Sequence, residues 1–308
     1  MIGLIVIAFV AVWMLYEPGD AKSTSAAVST PASASASPTP PPSASPSAST
    51  SPSASPSPSA ASPSKTQTAP STTPPVAAGQ RLFTIVNTLS QTVWVAANQN
   101  SQHPLPTTGW VLAPGASVAF AVPDGWGGRI WGRTGCSFDA SGAGTCQTGD
   151  CGGRFQCTGS GAIPATLAEI NLNAWDGMDF YDVSMVDGSN LPMFINISHT
   201  ATRDPLSPTG CSSGGCTKPV ACPGAMQVTA GGAVVACRTA CAAFNTDAYC
   251  CRGAWAGRAN CVPSRWPVDY AAVFKSAEPY AYSYAYDDSA TMACRGECDY
   301  RITFGLSP

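Results

Sequence analysis

Beyond residue 80 the apolar residues fall in short β-like runs. Leu82-Phe83-Thr84-Ile85-Val86 and Thr92-Val93-Trp94-Val95-Ala96 are rich in β-branched and aromatic residues, with polar Asn87-Thr88-Leu89-Ser90 between them. That pattern predicts two strands and a turn. Ser117 to Val122 and Arg129-Ile130-Trp131 repeat it across the turn residues Pro123-Asp124-Gly125, and further strands are predicted at Phe180 to Val186, Met193 to Ile197 and Tyr300 to Phe304. Short strands with frequent Gly and Pro turns indicate a mainly β fold, a sandwich or barrel. No strand alternates with a long helical period, which argues against a parallel α/β sheet. From Cys211 to Cys261 the pattern changes to eight cysteines and few β-branched pairs. Short helices are predicted there, over Arg238 to Tyr249, and again over Asp269 to Ala277, where Tyr270, Val273 and Phe274 share a face and Pro279 ends it.

Ahead of residue 80 the pattern has no such period. Ile2 to Tyr16 is a continuous apolar run of 15 residues, short for a spanning helix but long enough for a secretory signal core. It is read as either a cleaved signal or an uncleaved anchor, within a segment 1–22. Ser23 to Pro75 is almost entirely Ser, Ala, Pro and Thr, with Lys65 as its only charge. Too little apolar surface is available to offset the entropy of ordering, so residues 23–79 are predicted to form an extended linker spanning about 40 Å. Residues 80–308 are then the folded domain, expected to lie outside the cell or on the outer face of a membrane.

The 14 cysteines all lie between Cys136 and Cys298, and the only histidines are His103 and His199. With so few imidazoles, zinc sites are disfavoured and seven disulfides are the economical reading. An oxidising compartment follows. The net charge of −3 argues against nucleic acid or an anionic membrane surface as partner. No metal or cofactor motif is present, and the chain is expected to be a monomer.

The segment Gly142-Ala143-Gly144-Thr145-Cys146-Gln147-Thr148-Gly149-Asp150-Cys151-Gly152-Gly153, followed by Cys157, resembles the signature of thaumatin-like, pathogenesis-related family 5 proteins. Arg129-Ile130-Trp131-Gly132-Arg133-Thr134-Gly135-Cys136, Thr166-Leu167-Ala168-Glu169, Asp179-Phe180-Tyr181-Asp182-Val183-Ser184, Tyr249-Cys250-Cys251 and Ala281-Tyr282-Ser283-Tyr284 extend the resemblance over the folded part. It implies a flattened β-sandwich beside a disulfide-rich lobe with short helices, and a cleft between them. It also implies the bridges Cys136–Cys146, Cys151–Cys157, Cys222–Cys237, Cys241–Cys250 and Cys251–Cys261. The family pair joining the N-terminal strand to the C-terminus is replaced by Leu89 and Gly305, so the Leu82 strand is expected to fray. A family cysteine near Glu278 is also missing, and Cys298 is extra. Cys211–Cys294 and Cys216–Cys298 are therefore expected, with the swapped pairing open.

An acidic cleft in this family implies Arg129, Glu169, Asp182, Asp187 and Asp287 as ligand-binding residues here. Crowded carboxylates raise one another's pKa, and glycoside hydrolysis needs one protonated and one ionised. Glu169 is assigned as the acid and Asp182 as the nucleophile or base. Asp182 and Asp187 are five apart, which puts them on opposite faces of a strand unless the turn signal at Asp187-Gly188 intervenes. Trp131, Trp175, Tyr181 and the alternating Tyr280, Tyr282, Tyr284 and Tyr286 are candidates for stacking on sugars or for core packing. Asn196-Ile197-Ser198 is an N-glycosylation sequon. The resemblance thus implies binding of a β-1,3-glucan-type cell-wall polysaccharide in an antifungal or defence role. The alternatives are a weak endo-β-1,3-glucanase using Glu169 and Asp182, or a protein-binding hydrolase inhibitor.

Overall fold

In a computed structural model of the chain, residues 76–198, 217–296 and 298–307 are described. The predicted helix-poor, strand-rich pattern is realised as two sheets enclosing one core. Strands β1 (Gln80–Asn87), β2 (Val93–Ala97), β3 (Gly109–Leu112), β4 (Ser117–Pro123) and β5 (Gly127–Arg133) come first. The hairpin of β6 (Ser137–Phe138) and β7 (Gly144–Thr145) follows, then β8 (Leu167–Trp175), β9 (Met178–Ser184) and β10 (Met193–Ser198). A second hairpin, β11 (Gln227–Ala230) and β12 (Ala233–Cys237), leads to the helices α1 (Ala240–Phe244) and α2 (Ala271–Ala277). The strands β13 (Met292–Arg295) and β14 (Asp299–Phe304) close the chain.

One sheet has the order β10-β14-β1-β4 and the other β13-β9-β8-β5-β2-β3. Alternate residues of each strand point inward, as the period of two requires. Phe83, Ile85, Ile302 and Phe304 from the first sheet meet Val95, Ile130, Ile170 and Tyr181 from the second, all buried in one cluster. The Leu82 strand is not an edge. β1 pairs in parallel with β14 and antiparallel with β4, so ladder bonds hold it on both sides. The expectation that it frays is corrected by that topology.

Loops on the outer side are held by side chains that the sequence pattern did not single out. Arg133 is fully buried and donates to the carbonyls of Trp94, Val95, Arg154 and Phe155. Its guanidinium also lies over the rings of Phe138 and Phe155. Burial lowers its pKa to about 10, opposed by the charge of Asp150. Between the sheets, Asp179 accepts from Arg81 Nε and Nη2 and from Tyr300 Oη, with no exposed surface of its own.

The disulfides Cys136–Cys146, Cys151–Cys157, Cys222–Cys237, Cys241–Cys250 and Cys251–Cys261 close loops of 6 to 15 residues. Cys294 lies against Cys298, and the expected bridges Cys211–Cys294 and Cys216–Cys298 each need a cysteine that lies outside the described residues. Gly296, at φ +93°, turns the chain between them, so two cysteines four residues apart face each other. Cys211 and Cys216 lie outside the described residues, as do segment 1–22, most of the linker and His199. Among the described residues no helix is long and apolar enough to cross a membrane.

A smaller expectation also changes. Residues 279–288 form turns rather than a strand, so the four alternating tyrosines do not share one strand face. Asn196, the sequon asparagine, lies within β10 and is 6% exposed.

Candidate functional site

Register builds the site. Arg129 on β5 stands opposite Glu169 on β8, and Glu169 stands opposite Asp182 on β9. The three side chains therefore form one row across three neighbouring strands, with Cβ atoms about 5 Å apart from strand to strand. They point away from the core, because their neighbours Ile130, Ala168, Ile170, Tyr181 and Val183 point into it. Arg129 Nε meets Glu169 Oε1 at 2.7 Å, and the two side chains are 30% and 28% exposed. Asp187 joins from the turn after β9: its Oδ2 is 3.4 Å from Arg129 Nη1. Gly188, at φ +92°, provides that turn, and a side chain there would strike Pro164 and the Cys237 carbonyl. The turn thus overcomes the odd spacing of the two aspartates.

Asp182 is the more deeply placed carboxyl. Its Oδ1 is buried with no hydrogen-bond partner. Burial pushes its pKa well up, the Glu169 charge adds to that, and Arg129 opposes it. The row therefore sets Asp182, whose neutral form is favoured by burial and by its acidic neighbour, beside a Glu169 ion-paired to Arg129. The reason is tertiary: the guanidinium lies against Glu169, whereas Asp182 sits one strand further from it. Tyr282 overhangs the row, its hydroxyl sharing a hydrogen bond with Thr291. Its pKa is raised by burial first and then by the charges of Asp182, Asp287 and Glu169.

Asp287 does not join the row. It is buried, pairs with Lys275 at 2.7 Å, and accepts from Ser283 N, Ser283 Oγ and Ser289 Oγ. Its carboxylate fastens the loop that follows α2. Its neighbour Asp288 pairs with Arg258. Of the aromatic candidates, Trp131 and Tyr181 are buried and cannot stack on a ligand, whereas Trp175 is 52% exposed. Among the described residues no cluster of His, Cys, Asp and Glu has the arrangement to hold a metal ion.

Comparison with known proteins places this architecture. Residues 87–306 match the Thaumatin family. The chain belongs to that family. It is 46% identical over 226 residues to a pathogenesis-related protein 5 of Arabidopsis thaliana, covering 72% of this chain and 89% of the relative. It is likewise 46% identical over 231 residues to a pathogenesis-related thaumatin-like protein 3.5 of Cryptomeria japonica, covering 74% and 90%. Among solved structures, a thaumatin-like xylanase inhibitor aligns over 72% of this chain and 97% of its own, at 26% identity and a TM-score of 0.37.

The thaumatin-family domain thus carries four of the five expected acidic-cleft residues together and diverts the fifth. Sequence reasoning passed over Thr291, the hydrogen-bond partner of Tyr282, and Asn98. The Asn98 side chain accepts from the Arg129 backbone N–H and so steadies the strand beside the row. Neither has a pattern by which sequence alone would mark it: Asn98 acts on a strand 31 residues away, and Thr291 meets Tyr282 only because the turns between them bring the two together.

Proposed function

We propose that this protein works outside the cell as a wall-directed defence module and binds a β-1,3-glucan-type polysaccharide on its acidic row. The observation that carries the reading is the side-by-side placement of Arg129, Glu169 and Asp182 on one partly exposed face. A carboxyl whose neutral form is favoured, an ion-paired carboxylate and a guanidinium in line offer both donors and acceptors to sugar hydroxyls. The disulfide density and the pathogenesis-related relatives support an extracellular setting. Segment 1–22 would deliver or tether the domain, and linker 23–79 would hold it clear of the surface.

Turnover by Glu169 and Asp182 is the second reading, and the adjacency of the two carboxyls, with the pKa of Asp182 raised by burial, favours it, because a glycosidase requires one protonated and one ionised group. Their arrangement favours binding more. Glycosidase carboxyls flank the scissile bond from two sides, whereas these two are cross-strand neighbours on one side. The reading as a protein-binding inhibitor needs none of these carboxylates. The deciding experiment incubates the full chain with insoluble β-1,3-glucan and measures both retained protein and new reducing ends. Asp182→Asn and Glu169→Gln serve as controls. Retention that falls in both variants, with no reducing ends, is the expected result. Reducing ends lost in either variant would establish the hydrolase instead. Retention indifferent to both substitutions would overturn the acidic row as the binding site.

A further inference from the structure

We propose that the outer face of the six-stranded sheet continues beyond the acidic row as a second saccharide subsite ending on the Trp175 indole. The domain would then grip an extended neutral polysaccharide rather than a single sugar. This rests on the reading of the acidic row as a glycan site and adds a length requirement to it.

β9 carries the face onward from Asp182 without a break, while β8 shifts register between Asn171 and Trp175 and regains its pairing at the hairpin tip. Asn171 on β8 stands opposite Phe180 on β9, and Trp175 stands opposite Met178. Met178, Phe180 and Asp182 share one parity on β9, and all three are partly exposed, while Asp179, Tyr181 and Val183 between them are buried. From Asp182 to Met178 the strand rises about 14 Å, which outruns one sugar ring and calls for a chain. Along that path the residues change from acids to an amide (Asn171) and then to a half-open indole. Amides and carboxyls exchange hydrogen bonds with hydroxyls, and the indole offers a large flat apolar face of low conformational entropy.

The hairpin tip that carries Trp175 is tied to the neighbouring strands on both sides of the indole. The backbone N–H of Asn173 donates to the buried Asp179 Oδ1 at 2.7 Å, and Arg295 on β13 reaches both the backbone oxygen and the carboxylate of Asp176. Asn173 and Asp176 adopt φ of 47° and 50°, the left-handed conformations that turn the chain on either side of Trp175. A single exposed Trp would mean little. This one stands on a tip tied at Asn173 and Asp176 and pairs with Met178, which shares the β9 face with Asp182.

Charge selects the ligand class. Arg129 faces Glu169 and Asp187, and Arg295 faces Asp176, so the track offers no surplus positive charge. A neutral, hydroxyl-rich polymer fits it, and an anionic one does not.

The test measures binding of a β-1,3-linked glucose trimer and heptamer to the full chain by calorimetry, for wild type, Trp175→Ala, Trp175→Phe and Asp182→Asn. Trp175 is surface-placed, so unchanged circular dichroism checks that the variants fold. The expected result is that the heptamer binds wild type more tightly than the trimer does. Trp175→Ala should remove roughly tenfold of heptamer affinity, leave the trimer unchanged, and be restored largely by Trp175→Phe. Equal affinity of the two oligomers for wild type, or a heptamer indifferent to Trp175→Ala, overturns the second subsite. Trimer binding that is sensitive to Asp182→Asn shows in that case that the acidic row stands. Trimer binding lost along with Trp175 also overturns it, since the indole would then not be a separate subsite. Absence of binding by either oligomer to wild type overturns the underlying glycan reading and the subsite with it.

Discussion

Replacing Asp179 by alanine probes the joint between the two sheets. The carboxylate has no exposed surface and accepts from Arg81 Nε at 3.0 Å, Arg81 Nη2 at 3.2 Å, Tyr300 Oη at 2.9 Å and the Asn173 N–H at 2.7 Å. Asp179→Ala strands an Arg81 guanidinium that is only 3% exposed, with Asp124 at the rim as its remaining carboxylate. Removing one partner of a buried ion pair costs about 3 to 5 kcal/mol. At about 2 to 4 °C per kcal/mol for a domain of this length, Tm should fall by roughly 6 to 20 °C. The assay is thermal unfolding followed by circular dichroism, with disulfides intact. A double variant, Arg81→Met with Asp179→Leu, should recover much of the loss, because replacing both members by apolar groups removes the stranded charge. A shift of less than about 2 °C in the single variant would refute the reasoning. So would a double variant less stable than the single one.

Three further outcomes follow from named contacts. Arg133→Met should lower stability by about 2 to 4 kcal/mol, read from urea unfolding, because four carbonyls lose their donor and hydrogen bonds to a charged group are the stronger kind. Glu278 is buried, and burial raises its pKa from 4.5 to about 8, opposed by Lys275. The folded state therefore holds a proton that the unfolded state releases, so stability should fall as pH rises from about 4.5 to about 8 and level off above. Glu278→Gln should flatten that slope, apart from the contribution of the same sign from Asp182, as measured by unfolding at a series of pH values. Gly188→Ala should displace Asp187 from Arg129 and weaken glucan retention by several-fold, since the glycine holds positive φ against Pro164 and Cys237; retention equal to wild type would contradict that role.

How much of the site was visible in the sequence depends on how far each contact reaches along the chain. The Asp187-Gly188 dipeptide announced its own turn, and the structure uses that turn to bring Asp187 to Arg129. The roles of Glu169 and Asp182 are not legible in the same way. Which of two neighbouring acids keeps a proton depends on burial and on where a cation from another strand lies, and neither is a local property. Asp287 matched by type but was drawn into a cap around Ser283, Ser289 and Lys275. Likewise, Tyr280 to Tyr286 alternate as a strand would, yet turns occupy that segment.

By itself the sequence determined the segments of β1, β2, β4, β5, β9, β10 and β14, because β-rich runs between turn residues are written locally, but it did not mark β8, which carries Glu169 and Trp175. It also determined the density of disulfides and the poverty of helix, which together point to an exported β domain. Only the tertiary structure decided that β1 is an interior strand and that Arg129, Glu169 and Asp182 stand in one row on the face that β9 shares with Met178 beside Trp175. Those facts are matters of register between strands distant in the chain. A shift of one residue would turn every one of those side chains to the opposite face, and no local pattern records which register the packed core selects.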